Sequence, residues 1–202
     1  MSQEVVSYYE DFNEIEKKIW SLLTNAVIDR NSEFRTPVFI CGNDKDLDGR
    51  VVVLRKADQQ NNFVQYHSDI RSSKIDKIKK NPNCSILFYG KQEKIQLRIK
   101  TECKVHFNDE ETKESWEKTG HISRKCYLVT NGPGTESETP TSGLDGKFDN
   151  FDYTKEESEA GYKNFCVIRC KIKSIEWLYL AAKGHRRAMF DLENNKKNWL
   201  VP

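Results

Sequence analysis

Nowhere in these 202 residues does an apolar run approach the roughly 20 residues that a membrane-spanning helix needs, so helical anchoring in a bilayer is not expected. The opening Met-Ser-Gln-Glu-Val-Val-Ser-Tyr-Tyr-Glu-Asp has neither the basic stretch nor the apolar stretch of a secretory leader, and a cytoplasmic location is the expectation. The six cysteines (Cys41, Cys84, Cys103, Cys126, Cys166 and Cys170) include no Cys-x-x-Cys pair, which argues against a metal site. Several of them fall in strand-like apolar runs, as buried reduced thiols do. No internal repeat and no linker interrupts the chain, so residues 1–202 are expected to form one domain large enough to bury a proper core. No Ser-His-Asp or Cys-His nucleophile pattern stands out either. Any chemistry beyond binding must therefore come from a cofactor.

What the chain has in quantity is charge. Charged residues make up 32% of it and the mean hydropathy is −0.78, yet apolar periodic segments are plain enough to exclude global disorder. The net charge of +2 is unevenly spread. Between Arg71 and Lys104 ten Lys and Arg face three acids, whereas between Asp109 and Glu159 thirteen acids face six bases. Such asymmetry points to an anionic ligand near the first segment or to subunits meeting through opposite patches; solvated strand faces beside an acidic loop account for it equally well. Nucleic acid is not the expected partner, because the acidic segment opposes a continuous basic stripe and no aromatics interleave with the basic face.

Apolar residues at Phe12, Ile15, Ile19, Leu22, Leu23, Ala26 and Val27 recur with helical period, predicting a long amphipathic helix within 9–30. Strands are predicted at 35–41, 50–57 and 63–68, with a turn-rich link at 42–49. A short helix over 72–80 has Ser72 or Asp69 to cap it and Asn81-Pro82 to end it. A hairpin follows at 85–89 and 95–107, where Ile95, Leu97 and Ile99 alternate with Gln96, Arg98 and Lys100. Helices are predicted at 110–119, 122–128 and 155–162, and strands at 165–180, 186–192 and 199–201. Residues 131–150, rich in Gly, Pro, Ser, Thr and acids, read as a flexible loop: a lid, a subunit-contact arm or a disordered insert. Short hairpin-linked strands with no βαβ alternation predict a mainly β fold, an antiparallel barrel with peripheral helices.

The densest polar constellation lies between Asp48 and Lys100. Arg50 and Arg55 flank Val51, Val52, Val53 and Leu54; five apart on a regular strand they point to opposite faces, so they share a ligand only if the strand bends or two subunits meet. His67 and Ser68 end one strand, and Ser72, Ser73 and Lys74 open the next helix, where hydroxyls, N–H groups and an ammonium suit a phosphate. Gln96 can donate to and accept from the edge of a flavin or nucleobase, and Arg98 offers a fork for phosphate oxygens. Taken singly, each has an ordinary alternative: strand-end charges, an N-cap, or a solvated polar face.

The order of these elements resembles the pyridoxamine 5'-phosphate oxidase-like family of FMN-binding split barrels. The resemblance rests on Arg50-Val-Val-Val-Leu-Arg55, then His67-Ser-Asp-Ile-Arg-Ser-Ser-Lys74, Asn81-Pro82, Phe88-Tyr89 and Gln96-Leu-Arg-Ile99. Ile175-Glu-Trp-Leu178, Gly184-His-Arg-Arg187 and the final Trp-Leu-Val-Pro add to it. It implies a split β-barrel and a homodimer with FMN at the interface. The implied FMN contacts are Arg50, the Val51–Leu54 backbone, Arg55, His67, Ser68, Ser73, Lys74 and Gln96, with Arg98 beside them. The family usually has lysine at position 55 and arginine at position 73, and Arg71 is the expected substitute for the missing cation. Trp116, Arg124, His185 and Arg187 are the implied substrate-side residues. They match the family's phosphate-reading pattern loosely, which turns the expectation from vitamin B6 oxidation toward the oxidase-like branch acting on a small amine, alcohol or electrophile. A flavin store or sensor without turnover is the alternative, followed by a barrel for haem or another flavin.

Overall fold

The computed structural model describes residues 7–148 and 153–202. Helix α1 (Phe12–Ile28) begins where the Asp11 carboxylate accepts the N–H groups of Asn13 and Glu14, an N-cap that satisfies two otherwise orphaned donors. Ile15, Ile19, Leu23 and Ala26 are buried on the anticipated face, Trp20 is buried with them though not anticipated, and Phe12, Leu22 and Val27 are only partly buried beside them.

Nine strands form one antiparallel sheet. Strand β1 (Val38–Asn43) pairs with β2 (Asp46–Val51) on one side and β5 (Asn83–Gly90) on the other. From β5 the sheet continues through β6 (Ile95–His106), β7 (Phe165–Tyr179), β4 (Phe63–Asp69) and β3 (Leu54–Asp58). Only Val52 and Val53 separate β2 from β3, so the run 46–58 is one bent strand that starts against β1 and ends against β4. That bend closes the sheet into a barrel. It also corrects the single strand predicted over 50–57: the break falls at Val52–Val53, just ahead of a bulge where the β3–β4 register slips between Leu54 and Lys56. The predicted 42–49 link shrinks to a turn at Asp44–Lys45. Asn43 Oδ1 accepts the N–H groups of Lys45 and Asp46 there, while Gly42 takes a φ of +125°.

Strand β7 explains the split. Its first half pairs with β4, and its second half pairs with β8 (Arg186–Asp191), which carries β9 (Lys196–Leu200). Alternation along β6 sends Ile95, Leu97, Ile99 and Cys103 into the interior and exposes Arg98 and Lys100. The interior is filled by Phe39, Tyr66, Phe88, Ile168 and Trp177, all almost fully buried.

Helix α2 (Ser73–Lys80) joins β4 to β5. Between β6 and β7 the chain leaves the sheet and carries α3 (Glu110–Glu117), α4 (His121–Arg124) and α5 (Lys155–Ser158). This excursion has its own small core of Trp116, Tyr127, Phe165 and Val167. Residues 131–145 contain no helix or strand, as anticipated, and end in a short 3-10 turn at Gly146–Phe148; positions 149 and 150 lie outside the described residues. Among the described residues no helix is long and apolar enough to cross a membrane.

Candidate functional site

A cationic cradle forms where β2 and β4 reach the start of α2. The ammonium of Lys74 donates to Ser68 Oγ at 2.6 Å and to Ser72 Oγ at 3.0 Å, and Arg50 Nη1 donates to the same Ser72 Oγ at 3.3 Å. Ser72 stands at the N-cap of α2 but makes no capping bond, because its hydroxyl is held between the two cations. Lys74 is only 9% exposed and pairs with no carboxylate among the described residues. Burial and then the charge of Arg50 lower its pKa, the mark of an ammonium lacking a counter-charge. Arg50 forms an ion pair with Asp48, yet its Nε is buried without a partner. The cradle thus fits a phosphate group: two cations, one of them with an orphaned donor, and two hydroxyls converge there.

The bend at Val52–Val53 separates Arg55 from Arg50. Arg55 lines a different space, a cavity of about 380 Å³ walled by β3, β4 and α3 together with Arg30 and Arg35. His67 and Gln65, on the same face of β4, line it as well. Gln65 donates from Nε2 to Ser115 Oγ at 3.1 Å, while its Oε1 is buried without a partner. His67 packs edge-on against Phe165; burial and then the neighbouring Arg55 push its pKa down from 6.5 to about 3. It is therefore a neutral imidazole at pH 7, facing a guanidinium.

That depression has a measurable consequence. The folded state binds the His67 proton less readily than the unfolded chain. The contribution to stability is therefore complete above about pH 6.5 and is lost as pH falls toward the folded pKa of about 3. Between pH 7 and pH 5 the loss is about 2 kcal/mol. Denaturation midpoints across this range are expected to fall in the native protein and to fall by less in His67→Gln. Parallel curves for the two proteins would refute the assignment.

Gln96 is half-buried and Arg98 exposed, on the outer face of β6. The Glu176 carboxylate receives Arg98 Nη2 at 2.5 Å and Arg187 Nε at 2.9 Å, so one acid joins two predicted cations. Burial raises the Glu176 pKa, but the two guanidinium bonds outweigh it and hold the carboxyl below its ordinary value. Trp177 is fully buried in the barrel, and Leu178 takes the outward position beside it.

Several predicted residues lie elsewhere for clear reasons. Ser73 is exposed, and its neighbour Ser72 enters the cradle instead. Val51 is exposed, Val52 and Val53 form the bend, and Leu54 belongs to the core. Arg71 does not reach the cradle: its guanidinium binds the Asp69 carboxylate and donates to the carbonyls of Val129 and Thr130, clipping the following loop. Trp116 and Arg124 are buried partners of one another. The Arg124 guanidinium lies over the indole ring, bonds Trp116 O at 2.7 Å and forms an ion pair with Glu159. His185 is exposed, with Nδ1 accepting the N–H of Ala181. Sequence reasoning missed Gln65, although it lies two residues before His67 on the same strand face, and missed Glu176 as the acid joining Arg98 to Arg187.

The fold is a split barrel, and the cradle on it suits a phosphate. Residues 20–107 match the family model described as pyridoxamine 5'-phosphate oxidase, FMN-binding domain. The stretch includes the whole cradle and Gln96. A pyridoxamine 5'-phosphate oxidase-related, FMN binding protein from Nostoc punctiforme is similar with a TM-score of 0.70 at 14% identity, over 99% of this chain and 100% of that one. PhzG from Burkholderia lata, in complex with tetrahydrophenazine-1-carboxylic acid, is similar with a TM-score of 0.71 at 15% identity, over 99% and 98%. ChuZ from Campylobacter jejuni gives 0.56 at 11% identity, over 95% of this chain and 64% of that one. At these identities the likeness establishes the split barrel. No curated protein sequence matches the chain.

Proposed function

We propose that the protein is an FMN-dependent oxidoreductase acting on a small anionic substrate, with Arg50, Ser68, Ser72 and Lys74 holding the flavin phosphate. The observation that carries this reading is the buried Lys74 ammonium, answered by two hydroxyls and no carboxylate, beside the unpartnered Nε of Arg50. When bound, the flavin ring supplies the two-electron chemistry that no side-chain arrangement here provides. The protein's own part is binding and orientation. Arg55, with Arg30 and Arg35 near it, gives the cavity its attraction for an anion, and neutral His67 offers a hydrogen bond without adding charge. Gln65 Oε1 is an acceptor awaiting a substrate N–H or O–H. The tetrahydrophenazine-1-carboxylic acid held by PhzG is also an acid, in keeping with such a substrate.

Gln96, Arg98 and Arg187 lie on the outer face of the sheet, away from the cradle. In this reading they meet the flavin of a second copy, so the active form is a homodimer. Two subunits per site also resolve the opposing faces of the predicted contacts.

The reading is tested by mixing FMN-loaded protein anaerobically with pyridoxamine and pyridoxine 5'-phosphates and with aromatic carboxylates. At least one is expected to bleach the flavin. Arg55→Ala is expected to raise KM for that donor about 10- to 100-fold, the equivalent of losing one charge-assisted contact, while FMN is retained. A flavin that no donor in the panel reduces, or a KM unmoved by Arg55→Ala, contradicts the reading.

A further inference from the structure

We propose that Cys103 and Cys170 form a reversible cross-strand disulfide that ties together the two ends of the excursion between β6 and β7. The two residues are direct partners in the β6–β7 ladder, and their sulfurs lie 3.0 Å apart. The N–H of Cys103 donates to Pro82 O at 2.8 Å, on the side away from β7, so the pair occupies a non-hydrogen-bonded site. At such sites the Cα atoms approach to about 4.5 Å and the side chains are closest, within the span a disulfide requires. Both side chains point into the barrel and both are almost fully buried.

A third thiol, Cys84, lies on the strand at the other side of β6. It pairs with Thr101 in the β5–β6 ladder, which makes it a diagonal neighbour of Cys103. Diagonal Cα separations run to about 7–8 Å, beyond what a disulfide spans without backbone movement. Geometry therefore selects Cys170 over Cys84.

The oxidant is a hydroperoxide. One cysteine, as thiolate, attacks a peroxide oxygen; the O–O bond breaks, leaving a sulfenic acid and one water. The second thiol then attacks that sulfur, the S–S bond forms, and a second water departs with the remaining proton. Two thiols lose two electrons and two protons, and one hydrogen peroxide becomes two waters. The hydrogen bond to Cys170 and burial push the Cys103 thiol up, so the reaction is expected to be slow at neutral pH and faster in mild base.

The residues joined are 67 apart in sequence, and the closed loop contains α3, α4, α5 and one wall of the cavity lined by Arg55. Closing a loop of that length is expected to raise Tm by roughly 10 °C.

The experiment treats the purified full-length chain with hydrogen peroxide in mild base and follows it by non-reducing peptide mapping and thermal unfolding. The expected result is a linked Cys103–Cys170 peptide lighter by two hydrogens, with a Tm increase that dithiothreitol reverses. Cys126→Ser, which changes an exposed thiol, should behave like the native protein, and Cys170→Ala should show no increase. The absence of a linked peptide, a link from Cys103 to Cys84, or an equal Tm increase in Cys170→Ala would overturn the proposal. Mapping the native protein decides the matter even if a variant folds poorly.

Discussion

Lys74→Met is expected to abolish retention of FMN while leaving the unliganded barrel at least as stable as the native one. The two effects diverge because Lys74 is held in a place that suits a ligand better than it suits the fold. Its ammonium is nearly buried, has two hydroxyls for partners, and lies close enough to Arg50 for that charge to lower its pKa. Methionine keeps most of the stem's packing and removes the desolvated charge, so the apo protein loses an unfavourable term. The flavin phosphate in turn loses a charge-assisted contact of about 1.5–3 kcal/mol, a weakening of roughly 10- to 150-fold. Titration of FMN by flavin fluorescence, paired with urea unfolding of the apo protein, separates the two effects. Ser73→Ala, at the exposed neighbour, should change neither. A Lys74→Met protein that is destabilised yet binds FMN normally would mean that the cradle is a structural network.

Arg124→Met is expected to cost about 3 kcal/mol of stability, and the loss should come from the excursion. The side chain is 1% exposed, and its guanidinium joins Glu159 of one segment to Trp116 of another while covering the indole ring. Removing it takes one donor from the Trp116 carbonyl, which keeps the Thr119 N–H at 2.9 Å, and leaves one Glu159 oxygen without its donor, although Trp116 Nε1 still bonds the other Glu159 oxygen at 2.6 Å. Lysine is not expected to rescue, because a point charge cannot serve both acceptors as a planar fork does. Denaturation of the three proteins is the readout. Unchanged stability with a raised KM would instead make Arg124 a substrate contact, as the sequence resemblance implied.

Much of this architecture was legible in the chain because it depends on local periodicity. The α1 stripe and the β6 alternation each read directly from spacing. The bend at Val52–Val53 was not legible, since three successive valines read as a continuous strand and only pairing with two different neighbours divides them. The choice of Ser72 over Ser73 was hidden for a related reason: which hydroxyl turns inward depends on how α2 is seated against β2 and β4. The long cations were the least readable. Arg71 and Arg124 have the charge that a phosphate site calls for, but each is taken by an acid and carbonyls brought near by the excursion, a segment with little periodic signal. Lys74 could be read as a cation at a helix start, but its burial and its pairing with two hydroxyls appear only in the fold.

Flavin binding is decided by the absorbance spectrum of the purified protein after gel filtration in low-phosphate buffer, recorded with and without prior addition of FMN. A flavin band is expected to travel with the native protein and to be lost from Lys74→Met. A native protein that carries no flavin and takes up none when FMN is supplied would contradict that expectation.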